Sequence, residues 1–166
     1  MLCPVCHFDN FEGEDACANC GADLSTSDAA PAIAAGDDAI LRERLGALEI
    51  DPPVFVEATA PVAEVIRQMH LSGTDCLLVR DHGRLVGIFT DRDAAVKAVD
   101  KRLGLFKVQD FMTPDPVVLR HDDTLALAIN RMAIGGFRHI PIVDDGEPVG
   151  VISAADVFRY IVASLG

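Results

Sequence analysis

Four of the five cysteines in this 166-residue sequence stand in two pairs whose spacing suits a metal ion. They are Cys3, Cys6, Cys17 and Cys20, and each pair forms a C-x-x-C turn on which two thiolates converge. Two such turns complete a closed tetrahedral site of four sulfur ligands, for which zinc is the expected metal and iron the alternative. Paired disulfides fit a cytosolic chain poorly, and a redox site needs only one C-x-x-C. The sequence therefore predicts a structural zinc site.

The first 24 residues also resemble the short zinc ribbon found at the ends of many prokaryotic proteins. The resemblance rests on C-P-x-C, on Asn10 after the first turn, and on C-x-x-C-G followed by Leu24. A segment this short buries little apolar surface, so metal binding is expected to supply its folding free energy. The resemblance indicates a metal site but no particular function. The fifth cysteine, Cys76, lies in an apolar run and is predicted to be a buried core thiol.

A second pattern, G-h-h-[ST]-x-x-D, occurs at residues 87–93 and again at residues 150–156. Its hydroxyl, from Thr90 or Ser153, precedes a predicted helix whose free backbone N–H groups favour a phosphate. One turn later, the carboxylate of Asp93 or Asp156 can accept hydrogen bonds from two ribose hydroxyls. The structural alternative is a capping box, which uses the same residue types. Two equivalent occurrences, each preceded by glycine, favour a ligand site.

These two patterns belong to an internal duplication. When the sequence is shifted by 63 residues, the two halves align without a gap. The identical pairs include Pro53 with Pro116, Ile66 with Ile129, Met69 with Met132, Gly73 with Gly136, Asp81 with Asp144, Gly87 with Gly150, and Asp93 with Asp156. The C-terminal three-quarters of the chain is therefore one structural unit written twice.

Each copy predicts the element order β-α-β-β-α. In both copies a short strand precedes a helix with apolar residues at i, i+3, i+4 and i+7, and a D-x-G turn then joins two strands of a hairpin. The predicted strands are residues 54–56, 76–80 and 85–89, then 117–119, 139–143 and 149–152, and the closing helices are 91–103 and 154–165. One copy alone has a thin core, so the two are expected to pack their sheets together as a pseudo-twofold pair of the α/β (α+β) class.

Residues 45–166 resemble a tandem pair of cystathionine-β-synthase-type (CBS) domains. Besides the element order and the two G-h-h-[ST]-x-x-D ends, the resemblance rests on residues 108–113 (VQDFMT) and 137–144 (FRHIPIVD). It implies a cleft-bearing disc that binds adenosine compounds such as AMP, ADP, ATP or S-adenosylmethionine and usually forms a homodimer. Carried over by position, it implies ribose contacts from Asp93 and Asp156, phosphate contacts from Thr90, Ser153, Arg138 and His139, and an adenine border formed by the backbone around Thr113 and Ile140.

Copy one departs from this pattern where Asp75 and Cys76 replace Arg138 and His139. An acid at this position repels a phosphate. Arg92 is a candidate to compensate. We therefore expect the copy-two residues to form the better-supported site, and the copy-one site to be weak, altered in ligand choice or empty.

The predicted organisation is a zinc ribbon at 1–24, a flexible acidic linker at 25–38, a first CBS domain with a leading helix at 39–103, and a second CBS domain at 104–166. The leading helix is predicted to run from Asp37 or Asp38 to about Leu48, with Ile40, Leu41 and Leu45 on the same face. Pro52 and Pro53 then prevent its continuation.

Charge and composition exclude several functions. The net charge is −12, residues 1–41 contain no Lys or Arg, and the chain has no Trp, all of which argue against a nucleic-acid partner. No apolar run is long enough to span a membrane and no secretory signal opens the chain, so a cytoplasmic location is expected. A closed zinc site, with no Walker-type loop or assembled triad, argues against an enzyme. The sequence thus predicts a nucleotide-sensing regulator that acts on an unknown protein target. A ligand-free dimerisation scaffold, with the ribbon as a docking element, is the alternative.

Overall fold

The computed structural model describes residues 3, 8–10, 16–22, 24, 37–97 and 103–165. The chain has mixed α+β structure with the duplicated order predicted above. The first half contains α1 (Asp37–Leu41), β1 (Phe55–Glu57), α2 (Val62–Ser72), β2 (Cys76–Asp81), β3 (Arg84–Thr90) and α3 (Asp91–Lys97). The second half contains β4 (Thr113–Pro114), α4 (Leu125–Gly135), β5 (His139–Asp144), β6 (Glu147–Ser153) and α5 (Ala154–Leu165).

The first long helix of each copy is amphipathic and ends in the same way. Val62, Val65 and Met69 place the apolar face of α2 in the core. Gly73 then follows with φ of +69° and donates its N–H to the carbonyl of Met69. This left-handed cap suits glycine, which lacks a Cβ, and Gly136 ends α4 with φ of +64°. Both helices therefore stop at the point where the sequence places its repeated glycine.

Each copy continues into a hairpin with the same local geometry. The turn residues His82 and Gly83 have φ of +48° and +78°, and their counterparts Asp145 and Gly146 have +50° and +84°. Two consecutive positive φ values match the twist of the flanking strands. The register of the pairing between β2 and β3 shifts after Val79, and the register between β5 and β6 shifts after the equivalent residue, Ile142. The duplication therefore extends to the irregularities of the sheet.

The two copies exchange their opening segments. β4 belongs to copy two by sequence, yet it pairs with β3 of copy one and completes the four-stranded sheet β1-β2-β3-β4. Reciprocally, Asp51 of copy one forms a bridge with Val151 in β6 of copy two. A Cβ at Gly87 would lie 3.1 Å from the carbonyl of Thr113, and one at Gly150 would lie 3.1 Å from the carbonyl of Asp51. Each exchanged segment therefore passes directly over a glycine of the other copy.

The described residues form three buried apolar clusters. One fills copy one, with Phe89 and Phe111 among its fully buried side chains. A second fills copy two and continues without interruption into the cysteine segment near the N-terminus. A third is smaller and joins Cys76, Leu78 and Ile88 of copy one to Val151 of copy two. The two sheets are thus packed against each other, as predicted for a pseudo-twofold pair.

Several elements differ from the sequence prediction, and the strand predicted at residues 117–119 is reduced to a single bridge between Leu119 and Ile142. The leading helix ends at Leu41 rather than near Leu48, and Leu45–Ala47 forms a single 3-10 turn. Its backbone is held elsewhere, because the N–H of Leu45 donates to the carbonyl of Asp123 and the N–H of Gly46 to that of His121. α3 is described to Lys97, and the rest of its predicted span to residue 102 lies outside the described residues, as do residues 25–36 of the predicted linker.

Within the described part of the chain, no helix is long and apolar enough to cross a bilayer.

Candidate functional site

The strand-to-helix corner of copy one is built around the carboxylate of Asp93. Its Oδ2 accepts hydrogen bonds from the Thr90 N–H at 3.0 Å and from the Thr90 hydroxyl at 2.8 Å. In return, the N–H of Asp93 donates to the Thr90 hydroxyl oxygen at 3.3 Å. This reciprocal pair is a capping box, so the structural interpretation of the pattern holds in copy one. Asp93 is only 8% exposed, and it lines the cavity described below.

The corner of copy two has the same construction. Asp156 Oδ2 accepts from the Ser153 N–H at 2.7 Å and from its hydroxyl at 2.6 Å. Arg159 bonds the other carboxylate oxygen. Burial on its own raises the pKa of Asp156. The hydrogen bonds from the Ser153 hydroxyl and N–H and from the Arg159 guanidinium together lower it by more, so the pKa lies below its usual value. Asp156 therefore remains ionised in mildly acidic solution.

A cavity of about 440 Å³ opens beside the copy-one corner. This volume falls within the range of small-molecule sites. The cavity brings together residues of both copies: Thr90, Arg92, Asp93 and Lys97 from copy one, and Thr113, Asp115 and residues 135–139 from copy two. Among the predicted site residues, Thr90, Asp93, Thr113, Arg138 and His139 line it.

The other predicted residues lie elsewhere. Ser153 and Asp156 form the copy-two corner, outside this cavity, and the Ile140 side chain is fully buried in the copy-two core. The cavity therefore joins residues of copy two to the copy-one corner. Arg138 and His139 line it together with Thr90 and Asp93, while the backbone of His139 pairs with Ser153 at the corner of its own copy. Thr113 reaches the cavity because the exchange of opening segments carries it across to β3.

Contacts between the copies hold this composite cavity together. The guanidinium of Arg138 lies 3.5 Å from the carboxylate of Asp91, and that of Arg92 donates to the carbonyl of Gly136 at 3.1 Å. The Arg138 side chain is 61% exposed, so this ion pair contributes little stability by itself. Its importance is its position, since it places a guanidinium at the cavity wall.

Lys97 is a site residue that the motif analysis missed. Its ammonium donates to Asp93 Oδ1 at 2.6 Å and to the carbonyl of Phe111 at 2.8 Å. The Thr113 hydroxyl donates to the same Asp93 oxygen at 3.3 Å. Four groups of the protein therefore satisfy the Asp93 carboxylate. The spacing of Lys97, four residues after an acid on a helix, is the sequence signal that points to the pair.

Three of the four predicted metal ligands lie together. The sulfur atoms of Cys3, Cys17 and Cys20 lie within 4.8 Å of one another, and those of Cys3 and Cys20 are 3.5 Å apart. Sulfur ligands about 2.3 Å from a tetrahedral zinc ion stand about 3.8 Å from each other, so this spacing fits three corners of such a site. Cys6 lies outside the described residues.

The backbone around these sulfurs also has the form of two matching turns. The N–H of Cys3 donates to the carbonyl of Phe8, and that of Cys17 donates to the carbonyl of Ala22. Asn10 is 6% exposed and links the two turns, with its amide 3.5 Å from Cys17 Sγ and its oxygen accepting from the Ala18 N–H. Such outer contacts orient metal ligands. The described residues therefore fit a zinc site.

A family model described as CBS domain matches residues 45–99 and 108–163. The chain belongs to the CBS domain family. It is 32% identical over 121 residues to the CBS domain-containing protein CBSCBSPB5 of Arabidopsis thaliana, covering 71% of this chain but only 22% of that relative. It is also 33% identical over 108 residues to an uncharacterized 17.7 kDa protein of Acidianus ambivalens, covering 64% of this chain and 65% of the other.

Solved structures show the same pair architecture. The crystal structure of CBSX2 in complex with AMP, a CBS-pair protein from Arabidopsis thaliana, superposes with a TM-score of 0.63 at 26% identity and covers 75% of this chain and 99% of that one. A CBS-domain-containing protein from Agrobacterium tumefaciens superposes with a TM-score of 0.60 at 29% identity, covering 66% and 89% of the two chains. This chain therefore shares the CBS-pair architecture with these solved structures.

This CBS pair is asymmetric where its two copies meet. His139 Nε2 lies 3.2 Å from the carboxylate of Asp75, which stands at the copy-one position equivalent to Arg138. Cys76, the counterpart of His139, is buried. Burial, together with the charges of Asp75, Asp93 and Asp91, raises the pKa of the Cys76 thiol to about 12. Cys76 is therefore a neutral core group, as predicted, while its counterpart is a cavity residue.

Proposed function

We propose that this CBS pair is a regulatory protein that binds an adenosine nucleotide in the composite cavity and transmits its occupancy to a protein partner. One observation carries the proposal. A buried carboxylate and a hydroxyl of copy one, Asp93 and Thr90, face Arg138 and His139 of copy two across a cavity of about 440 Å³. A carboxylate suits vicinal ribose hydroxyls, and a guanidinium beside an imidazole suits a phosphate.

The cavity wall offers cationic groups to a phosphorylated ligand, although it carries as many acids. Arg92, Lys97 and Arg138 lie on the wall with Asp91, Asp93 and Asp115, and the hydroxyls of Thr90 and Thr113 add hydrogen-bonding groups. Further support comes from CBSX2, whose structure contains AMP and which is 26% identical to this chain. AMP is therefore the first ligand to test, with ATP and S-adenosylmethionine as the comparisons.

Binding in this cavity requires a rearrangement at Asp93. A ribose hydroxyl that donates to Asp93 Oδ1 competes with Lys97 and Thr113, which already donate to that oxygen. The Lys97 side chain is 40% exposed and has a flexible stem, so its ammonium group can turn away from Asp93. We propose that Lys97 then joins Arg138 near the phosphate. The ligand thus prefers one arrangement of the two copies, which is what a sensor requires.

The test is ligand-induced stabilisation of the full chain. AMP at about 100 times its Kd is expected to stabilise the fold by about 2.7 kcal/mol, which raises the Tm by roughly 5–10 °C for a chain of this size. Calorimetric titration should give one site per chain, and adenosine should bind at least about tenfold more weakly because it lacks the phosphate. Unchanged Tm values with AMP, ATP and S-adenosylmethionine at millimolar concentration would reject the sensor.

We also propose that Cys3, Cys6, Cys17 and Cys20 hold a structural zinc ion. Zinc would neutralise the negative charges of the closely spaced thiolates and supply the folding free energy of the N-terminal segment. Elemental analysis of protein purified without chelator is expected to give one zinc per chain. A Cys17→Ser variant should lose that zinc while the CBS pair keeps its fold. A chain without stoichiometric zinc or iron contradicts the site.

We propose further that the chain forms a homodimer through α5. Phe158, Val162 and Leu165 recur along one face of this helix and are 68%, 52% and 67% exposed. Exposed apolar side chains at this spacing suit a helix that packs against a second copy. Sedimentation analysis should give a dimer for the natural chain and a monomer for a Phe158→Ser and Leu165→Ser double variant. A monomeric natural chain excludes this part of the proposal.

The alternative is a ligand-free dimerisation scaffold with the zinc ribbon as its docking element. One observation favours it, since the Asp93 carboxylate is already satisfied by four groups of the protein. Nucleotide titration separates the two proposals, because a scaffold does not respond to AMP. In either case we propose a regulatory rather than catalytic role and a cytoplasmic location, where thiol ligands stay reduced.

A further inference from the structure

The outer face of α4 differs from the same face of α2, although the two helices are equivalent by sequence. At three matched positions α2 carries Glu64, Gln68 and Leu71, all of which are exposed. The counterparts in α4 are Leu127, Arg131 and Ile134. Leu127 is only 5% exposed, whereas the Glu64 side chain is 59% exposed. Part of the molecule therefore covers Leu127 that has no counterpart over Glu64, while Ile134 stays 61% exposed.

The cysteine segment and α1 both lie beside α4. Cys3, Cys17 and Cys20 belong to the same apolar cluster as Leu127, and so do Ala22 and Leu24. The guanidinium of Arg131 bonds the carbonyl of Asn19, which lies within the second C-x-x-C turn. A Cβ on Gly21 would lie 3.8 Å from the side chain of Ile134. The contact is thus both apolar and polar.

The end of α4 leads directly into the cavity wall. Gly135 and Gly136 end the helix, and residues 135–139 line the cavity. The carbonyl of Gly136 accepts the hydrogen bond from Arg92 of copy one. Arg131 and Ile134, which contact the cysteine segment, lie in the last turn and a half of the same helix. A group that restrains this turn therefore also restrains one wall of the cavity.

We propose that the metal-loaded cysteine segment docks on the outer face of α4 and holds the C-terminal end of α4 and the cavity wall in place. The inference rests on the zinc site proposed above and not on nucleotide binding. The chemistry of the partner surfaces supports the docking. Arg131 meets a backbone carbonyl of the second turn. Leu127 belongs to the apolar cluster that contains the cysteines, and Ile134, although 61% exposed, approaches Gly21. In copy one, Gln68 and Glu64 offer no such surface.

The experiment is amide hydrogen exchange of the full chain, without nucleotide, before and after zinc is removed with a chelator. Peptides covering residues 131–139 are expected to exchange about tenfold faster once zinc is removed, because local opening becomes easier there. Peptides covering the equivalent residues 68–76 should not change. A Cys17→Ser variant should reproduce the chelator result. Zinc content is measured on every sample.

Two matched variants complete the test. Arg131→Gln with Ile134→Ser removes the two side chains of α4 that approach the second C-x-x-C turn, so this variant should keep its zinc and no longer respond to the chelator. Gln68→Ala with Leu71→Ser alters the same positions of α2 and should behave like the natural chain. Exchange at 131–139 that changes less than twofold on zinc loss overturns the docking, as does a first variant that still responds fully. A chain that binds no zinc also overturns it, whatever its response to AMP.

Discussion

Thr90 and Asp93 at the start of α3 exchange the same hydrogen bonds as Ser153 and Asp156 at the start of α5, yet the two corners have different surroundings. The copy-one corner faces Arg138 and His139 across an open cavity. By the pseudo-twofold relation, the groups equivalent to Arg138 and His139 are an acid, Asp75, and a buried thiol, Cys76. The comparison teaches that a capping box builds the corner, while the residues contributed by the other copy decide whether it can bind an anion.

The largest expected difference concerns Cys76. A pKa of about 12, against an ordinary value of 9.0, makes its thiolate roughly 1,000-fold scarcer near pH 8, because burial and the nearby acids disfavour the charge. Iodoacetamide should therefore alkylate Cys76 at least about 1,000-fold more slowly in the folded chain than in urea. Peptide mass spectrometry with time gives both rates. Comparable rates would mean that copy one opens readily where we describe a core.

The next prediction separates the two corners by ligand affinity. Asp93→Asn is expected to raise the Kd for AMP by roughly 10- to 100-fold, because hydrogen bonds to a charged group contribute about 1.5–3 kcal/mol. Asp156→Asn, the matched change in copy two, should alter that Kd less than about twofold. Both variants lose part of a capping box, so each should be destabilised by about 1 kcal/mol. Calorimetric titration and urea unfolding measure the two effects, and equal losses of affinity would contradict a single site at the copy-one corner.

A smaller and opposite pair of effects is expected at the diverged position. Arg138→Ala should weaken AMP binding about tenfold and leave adenosine binding unchanged, since the guanidinium acts on the phosphate. Asp75→Ala should strengthen AMP binding by about two- to threefold, because His139 loses an exposed acidic partner that competes with the ligand. Titration of AMP and of adenosine into both variants measures these changes in affinity. Weaker binding in Asp75→Ala would show that the acid helps to hold His139 in place.

The smallest effect is the pH dependence of stability at the copy-two corner. The folded pKa of Asp156 is below its unfolded value, so its ionised form stabilises the fold above about pH 4, and this contribution is lost as the pH falls through the folded pKa. Asp156→Asn should therefore be less stable than the natural chain by about 1 kcal/mol at pH 7. The difference should shrink towards zero near pH 2. Urea unfolding from pH 2 to pH 7 measures it, and a gap that widens in acid contradicts the assignment.

Sequence patterns were sufficient for the fold but not for the composition of the site. The gapless shift of 63 residues predicted the element order and the paired hairpins, because these depend on local periodicity and turn chemistry. The exchange of opening segments was not predictable in the same way. β4 has only two residues, Thr113 and Pro114, which is too short for any alternation to indicate the strand beside which it lies. The cavity that Thr113, Arg138 and His139 share with Thr90 and Asp93 was consequently visible only in the structure.

Two further features escaped the motifs because they depend on contacts between distant segments. The leading helix stops at Leu41 since the backbone of Leu45 and Gly46 is bonded to the segment before α4, which helix periodicity does not reveal. The docking of the cysteine segment depends on Arg131 and Leu127. The alignment of the copies shows that these residues differ from Gln68 and Glu64. It does not show which segment lies over them.

The exchanged opening segments have a consequence for how the chain can be divided. A break anywhere between α3 and β4 would leave β3 with an unpaired edge and β6 without the bridge to Asp51, so neither half would hold a complete sheet. Separately expressed halves should therefore be poorly soluble alone and should recombine when mixed, as the fragments of a split reporter do. Neither copy is therefore a self-sufficient module, because each one needs the opening segment of the other to complete its sheet.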